Sequence, residues 1–127
     1  MSIQGGIWNR DGEPVTQETL VTLKDLVSNQ YFDRNMYHAV GNLGILYCAF
    51  DVIPESRSER QPYHCRSGDL ITWDGRLDNR EELIAALDIS PVATDVEILA
   101  AAFAQWGTQA FARLLGDWAT SIWCTRD

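Results

Sequence analysis

Metal and disulfide ligands are scarce in this sequence, with three cysteines and two histidines in 127 residues. Cys48, Cys65 and Cys124 are odd in number and widely spaced, so they make no disulfide framework. No C-x-x-C pair is present to bind zinc or run thiol exchange. His38 and His64 form no H-x-x-x-H pair. No metal site is expected, and the cysteines read as small buried or half-buried hydrophobes of a cytoplasmic protein. Positive charge is also short. Ten Lys and Arg face eighteen Asp and Glu, for a formal charge of -8. So acidic a surface is repelled by phosphate backbones, which argues against a nucleic-acid partner. No apolar run approaches the roughly 20 residues of a membrane span. Residues 1–10 lack a basic segment followed by an apolar one, so neither a membrane partner nor a secretory signal is expected.

What is present is an ordinary globular composition, 46% hydrophobic and 22% charged, with enough apolar material for one core. Residues 3–8 read as a strand closed by the Asp11-Gly12 turn signal. Residues 15–30 carry leucines and valines near helical spacing, with Thr16 in the cap region. Residues 37–40 and 43–52 read as two strands about a Gly41-Asn42 turn, the second apolar enough to be buried on both faces. Residues 54–61 read as an exposed polar loop. Residues 70–73 read as a strand entered through Ser67-Gly68-Asp69 and stopped by Asp74-Gly75. A short helix over 79–87 would be capped by Asp78. A second helix over 94–106 would end at Gly107. A helical piece over 108–115 and a strand over 118–124 complete the chain. Strands interleaved with helices predict a mixed α+β fold.

Several of these segments, taken in order, resemble one family. Gly6-Ile7 falls in an opening similar to "M-C-G-I-x-G-I". Gln61-Pro62 looks like a "QP" preceding a central strand. The run Trp73-Asp74-Gly75-Arg76-Leu77-Asp78-Asn79-Arg80-Glu81-Glu82-Leu83 is similar to "F-N-G-E-I-Y-N-Y-x-E-L". Thr94-Asp95-Val96-Glu97-Ile98-Leu99 looks like "S-D-T-E-V-L", and 115–123 looks like "L-x-G-x-F-A-F-A-I-W". These motifs resemble the N-terminal class II glutamine amidotransferase domain of the asparagine synthetases and their relatives. The resemblance implies the N-terminal nucleophile (Ntn) fold, an αββα sandwich of antiparallel sheets. It also implies that residues 1–127 are one domain that continues past 127 in the family, so that the chain is truncated.

The resemblance further assigns roles to particular positions. The family's nucleophile is an N-terminal cysteine whose own α-amine acts as base. That place is held here by Ser2, followed by the branched Ile3. Its oxyanion hole uses an Asn amide and the N–H of the next glycine. Those places are held by Asp74 and Gly75, and an ionised carboxylate has no proton to donate. The family's carboxylate-gripping arginine has no counterpart in the strand containing Gly44 to Cys48. Of the two acidic residues that hold the substrate's α-amine, one place is taken by Arg76 and the other is kept as Asp95. Asp95 also reads as a helix N-cap. Trp73, beside Asp74, would line the pocket.

The expected function is therefore a degenerate, inactive glutaminase-like domain of an asparagine-synthetase-related, amide-forming enzyme. It would be the structural partner of a C-terminal synthetase domain that uses ATP and magnesium, with no cofactor of its own. β-Lactam synthetases and lasso peptide cyclases, relatives lacking the cysteine, follow that pattern. One alternative is an active glutamine amidotransferase with Ser2 as nucleophile and glutamine as substrate. Another is an amino-acid-binding module built on Asp74, Arg76 and Asp95.

Overall fold

The computed structural model describes residues 2–27, 32–50 and 59–125. The chain divides into two compact units, Met1–Arg57 and Ser58–Asp127.

The first unit contains β1 (Ile3–Trp8), α1 (Gln17–Val27), β2 (Arg34–Val40) and β3 (Leu43–Ala49). Its sheet has the order β1-β3-β2, antiparallel throughout. The all-apolar run Leu-Gly-Ile-Leu-Tyr-Cys-Ala takes the centre, and all seven residues are buried. That matches the expectation of a strand covered on both faces. The Gly41-Asn42 turn closes the β2–β3 hairpin, with Gly41 in the left-handed region at φ 55°. β2 begins three residues earlier than the apolar pattern suggests. Its exposure alternates from Arg34 onward, and an edge strand tolerates polar residues that a central strand would not.

Helix α1 is opened by Thr16, whose hydroxyl oxygen accepts the Thr19 N–H at 3.2 Å, the bond an N-cap supplies. Its Leu20 side chain is fully buried. A methyl group at Gly44 would lie 2.6 Å from Val15 Cγ1 and 2.8 Å from Leu20 Cδ2. Glycine at that point of β3 is what lets the helix settle on the sheet. The last residues of the expected helix, 28–30, and most of the expected loop lie outside the described residues.

The second unit holds β4 (Tyr63–His64), β5 (Leu70–Leu77), α2 (Arg80–Leu87), α3 (Asp95–Trp106), a 3-10 helix (Gly107–Arg113) and β6 (Gly116–Trp123). Its sheet runs β4-β5-β6, again antiparallel. Val96, Ile98, Leu99 and Ala102 of α3 are buried in a core with Ile71, Trp73, Leu77 and Leu83. Each of the valine, leucine and isoleucine side chains contributes roughly 1.5–3 kcal/mol by leaving water. Trp73 stacks on Trp118 at 5.6 Å between ring centroids, and Trp118 on Phe111 at 6.1 Å. The carboxylate of Asp69 fastens the β4–β5 turn to the chain after β6, accepting from the Ser67 hydroxyl and the Thr125 N–H.

Four sequence readings are corrected here, and the helical piece expected over 108–115 is refined. Asp74-Gly75 does not stop the strand: β5 runs through both residues to Leu77, pairing with β6 along its length. Asp78 does not cap α2. Asn79 holds that place, and its side chain instead donates to Arg113 C=O at 2.9 Å and accepts from Leu115 N–H at 3.0 Å. Asp95 is the first residue of α3 and Thr94 is its cap. The Thr94 N–H donates to the Glu97 carboxylate at 2.7 Å. The buried Thr94 hydroxyl sits in the reciprocal capping-box position without a bond of full geometry. The piece after Gly107 is a 3-10 helix. Gln61, read as part of an exposed loop, is 3% exposed. The short strand β4 was not expected, since two residues carry no periodicity.

The described residues are thus α+β, with two antiparallel three-stranded sheets and three α-helices. Among the described residues, no helix is long and apolar enough to cross a membrane. Nor does any group of three or more His, Cys, Asp or Glu among them offer to hold a metal ion.

Candidate active site

Four of the five residues assigned roles from sequence gather around the C-terminal half of β5, in the second unit. Asp74, Gly75 and Arg76 are consecutive on that strand, opposite Ala119, Trp118 and Asp117 of β6. The fifth, Ser2, belongs to the first unit, where its side-chain oxygen accepts a hydrogen bond from the buried Tyr47 hydroxyl at 3.3 Å.

Gly75 has φ 147°, a conformation that residues with a side chain rarely adopt. A Cβ there would lie 2.5 Å from Trp118 Cα and would also run into Asp117 C=O. The two strands come together at this point because nothing projects from Gly75. The half-buried Asp74 is one residue earlier.

The preceding residue is fixed from below. Gln61 is buried, and its side chain brackets the Trp73 backbone. Trp73 N–H donates to Gln61 Oε1 at 2.5 Å, and Gln61 Nε2 donates to Trp73 C=O at 2.8 Å. A side-chain amide has one donor and one acceptor set like a peptide group, so it pairs with a backbone unit as a neighbouring strand would. The Gln61-Pro62 bond is cis. The Trp73 ring is 2% exposed and belongs to the core, which corrects the expectation that it lines a pocket. Its indole N–H is buried with no hydrogen-bond partner among the described residues.

Arg76 points outward, its side chain 73% exposed and its Nε 2.8 Å from Asp78 Oδ1. The hydrogen bond to Asp78, and that residue's charge, hold the guanidinium above its ordinary pKa. Asp95 is placed differently, with its side chain 14% exposed. One carboxylate oxygen accepts the Leu77 N–H at 3.2 Å, and the other pairs with Arg80 Nη1. Arg80 Nη2 also donates to Ala93 C=O at 2.6 Å. A single guanidinium therefore links α2 to the start of α3, and through Asp95 to the end of β5.

The sequence reading passed over Arg80 and the bracket made by Gln61. The only signal for Gln61 was its place beside Pro62. Nothing local marked Arg80, because its partners are 13 and 15 residues away. Two surface recesses lie elsewhere. One of about 370 Å³ is bounded by β1 and α1. The other, about 290 Å³, contains Glu82, Trp106 and Arg113. None of the five assigned residues lines either.

Three features stand together in the second unit: a strand pinned by an obligatory glycine, a residue bracketed by a buried glutamine just before it, and a carboxylate at the start of the facing helix. They define an α+β domain whose motif residues converge on one strand end. A family model for the glutamine amidotransferase domain matches residues 50–127, more than half of the chain. The chain belongs to that family. The match begins just after β3 and takes in the whole of the second unit. No curated protein matches the chain.

Proposed function

We propose that this glutamine amidotransferase domain does not hydrolyse glutamine. In this reading it serves as the structural partner of a C-terminal, ATP- and magnesium-dependent synthetase domain related to the asparagine synthetases, in the cytoplasm. The observation that carries the reading is Asp74, set directly before Gly75 on β5. A tetrahedral intermediate of amide hydrolysis needs hydrogen-bond donors aimed at its developing oxyanion. Gly75 keeps the N–H of that pair. Asp74 supplies a carboxylate where an amide would donate, and so sets like charge beside like. Loss of one such donor alone costs about 100- to 1,000-fold in rate.

Two further points support it. Arg76 is engaged with Asp78 at the surface and carries the wrong sign to hold an ammonium group. Ser2 has a hydroxyl rather than a thiol, and a hydroxyl needs more help to become a nucleophile. A parent enzyme that activates a carboxylate with ATP and supplies its own amine has no use for ammonia from glutamine.

The test is ammonia release from glutamine by the longest natural form of the chain, beside its Ser2→Ala variant. Intact mass establishes in each case whether Met1 has been removed. The expected result is no release above the variant's background from folded protein with Ser2 exposed. Release that disappears in Ser2→Ala would overturn the proposal and make Ser2 a working nucleophile.

A further inference from the structure

Asp95 and the Ala93 carbonyl form a receptor shaped for a cation. The carboxylate is mostly buried, and its orientation is fixed on one side by the Leu77 N–H at 3.2 Å. Its second oxygen and the Ala93 carbonyl oxygen converge on one guanidinium, that of Arg80, and each takes one of its terminal nitrogens. Two acceptors answered by the two arms of one planar fork is the geometry in which guanidinium recognition is strongest. The arm that fills it comes from the first residue of α2, with a side chain 37% exposed. The receptor is thus formed by the start of α3 and the end of β5, while its occupant arrives from a separate helix.

We infer that Arg80 is a ligand held in cis: it fills a site at Asp95 and Ala93 that would otherwise bind the guanidinium or primary ammonium head group of a free molecule. The inference deepens the reading of an inactive domain, and rests on it only for what is being kept out, namely the ammonium end of an amino acid. With Arg80 in place, both Asp95 oxygens are already engaged, one by the Leu77 N–H and one by the guanidinium. A free amino acid would have to displace an intramolecular partner whose effective concentration is far higher than its own. Arg80 is on this view the residue that keeps a free cation from Asp95 and the Ala93 carbonyl.

The experiment is thermal unfolding of the whole 127-residue chain as wild type, Arg80→Ala and Arg80→Ala/Asp95→Asn. Methylguanidinium chloride is titrated into each at constant ionic strength, with tetramethylammonium chloride as the control cation that cannot donate hydrogen bonds. Arg80→Ala should melt about 5 °C or more below wild type, because it leaves a mostly buried carboxylate unpaired. Methylguanidinium should restore about half of that loss in a saturable manner, as a ligand of the folded state does. Wild type and the double variant should show no saturable gain, only the general lowering that a guanidinium salt causes. If Arg80→Ala does not fold, Arg80→Gln, which keeps most of the stem and removes the charge, takes its place with the same expected rescue. Two outcomes overturn the inference. One is no rescue of the folded single variant beyond that given by tetramethylammonium. The other is equal rescue of the double variant, which would place the cation elsewhere. Ammonia release plays no part in this test, so its failure is distinguishable from that of the proposed function.

Discussion

Gly75 is the residue on which the site's backbone turns. Its φ of 147° and the 2.5 Å gap that any Cβ would leave to Trp118 Cα act together, one on conformation and one on space. Gly75→Ala is expected to lower the unfolding free energy by about 3 kcal/mol or more, the sum of a strained backbone and a strand forced outward. Urea denaturation of the two proteins measures it, and a loss under about 1 kcal/mol would show that the strands can part cheaply. Dipeptide statistics alone make Asp74-Gly75 a turn. The sequence reading that placed the strand's end there missed that a glycine inside a strand can instead admit a neighbour's backbone. The distinction rests on Trp118, more than forty positions away, and no local pattern contains it. Asp95 shows the same limit in another form. Its place at the head of a helix was visible, but its occupation by Arg80 was not, because that pairing joins two helices.

Among the elements, β5 is supported by side chains from outside its own sheet ladder. Gln61 supplies its Trp73 backbone with a donor and an acceptor, while β6 pairs along the strand's other edge. Gln61→Ala would leave a buried N–H and a buried C=O without partners, at about 2–4 kcal/mol for the two. Equilibrium denaturation should show that loss, and amide hydrogen exchange should show the Trp73 N–H losing protection more than those of α3. Unchanged exchange at Trp73 would mean that another group takes over from Gln61. The central strand β3 was legible in its start and its burial, since an unbroken apolar run has nowhere else to go; it ends at Ala49, and residues 51–52 of the expected strand lie outside the described residues. The capping of α2 was not legible. Asn79 and Asp78 are both good cap residues by type, and the choice was decided by the distant Arg113 and Leu115, which occupy the Asn79 side chain.

For the molecule as a whole, its thiols and a tyrosine tie stability to alkaline pH. Burial is the main cause that pushes the Cys48 and Cys65 thiols above their ordinary 9.0 and the Tyr63 phenol above its ordinary 10.0. At Cys65 the nearby Asp69 and Cys124 add to it. A group whose pKa is raised by folding keeps its proton in the native state after the unfolded chain has released it. Stability is therefore complete below the unfolded pKa and falls as pH rises through the folded one. Unfolding free energy should begin to decline as pH rises past about 9 and go on declining above about 10, less steeply in Cys65→Ala. A flat or rising profile in the wild type would contradict the assignment. By itself the sequence determined the class of fold, the order of nearly every element, the family motifs and the absence of a metal-ligand pattern. Each of these is written in composition or in the spacing of near neighbours. Tertiary structure alone decided that Asp74-Gly75 lies within a strand, that Gln61 is buried against Trp73, that Arg76 leaves the site for the surface, and that Arg80 takes up Asp95. In every one of those cases the deciding partner, or the competition among partners, is fixed only when the chain closes on itself. Short-range propensity cannot encode a contact whose two halves are brought together by the packing of other segments.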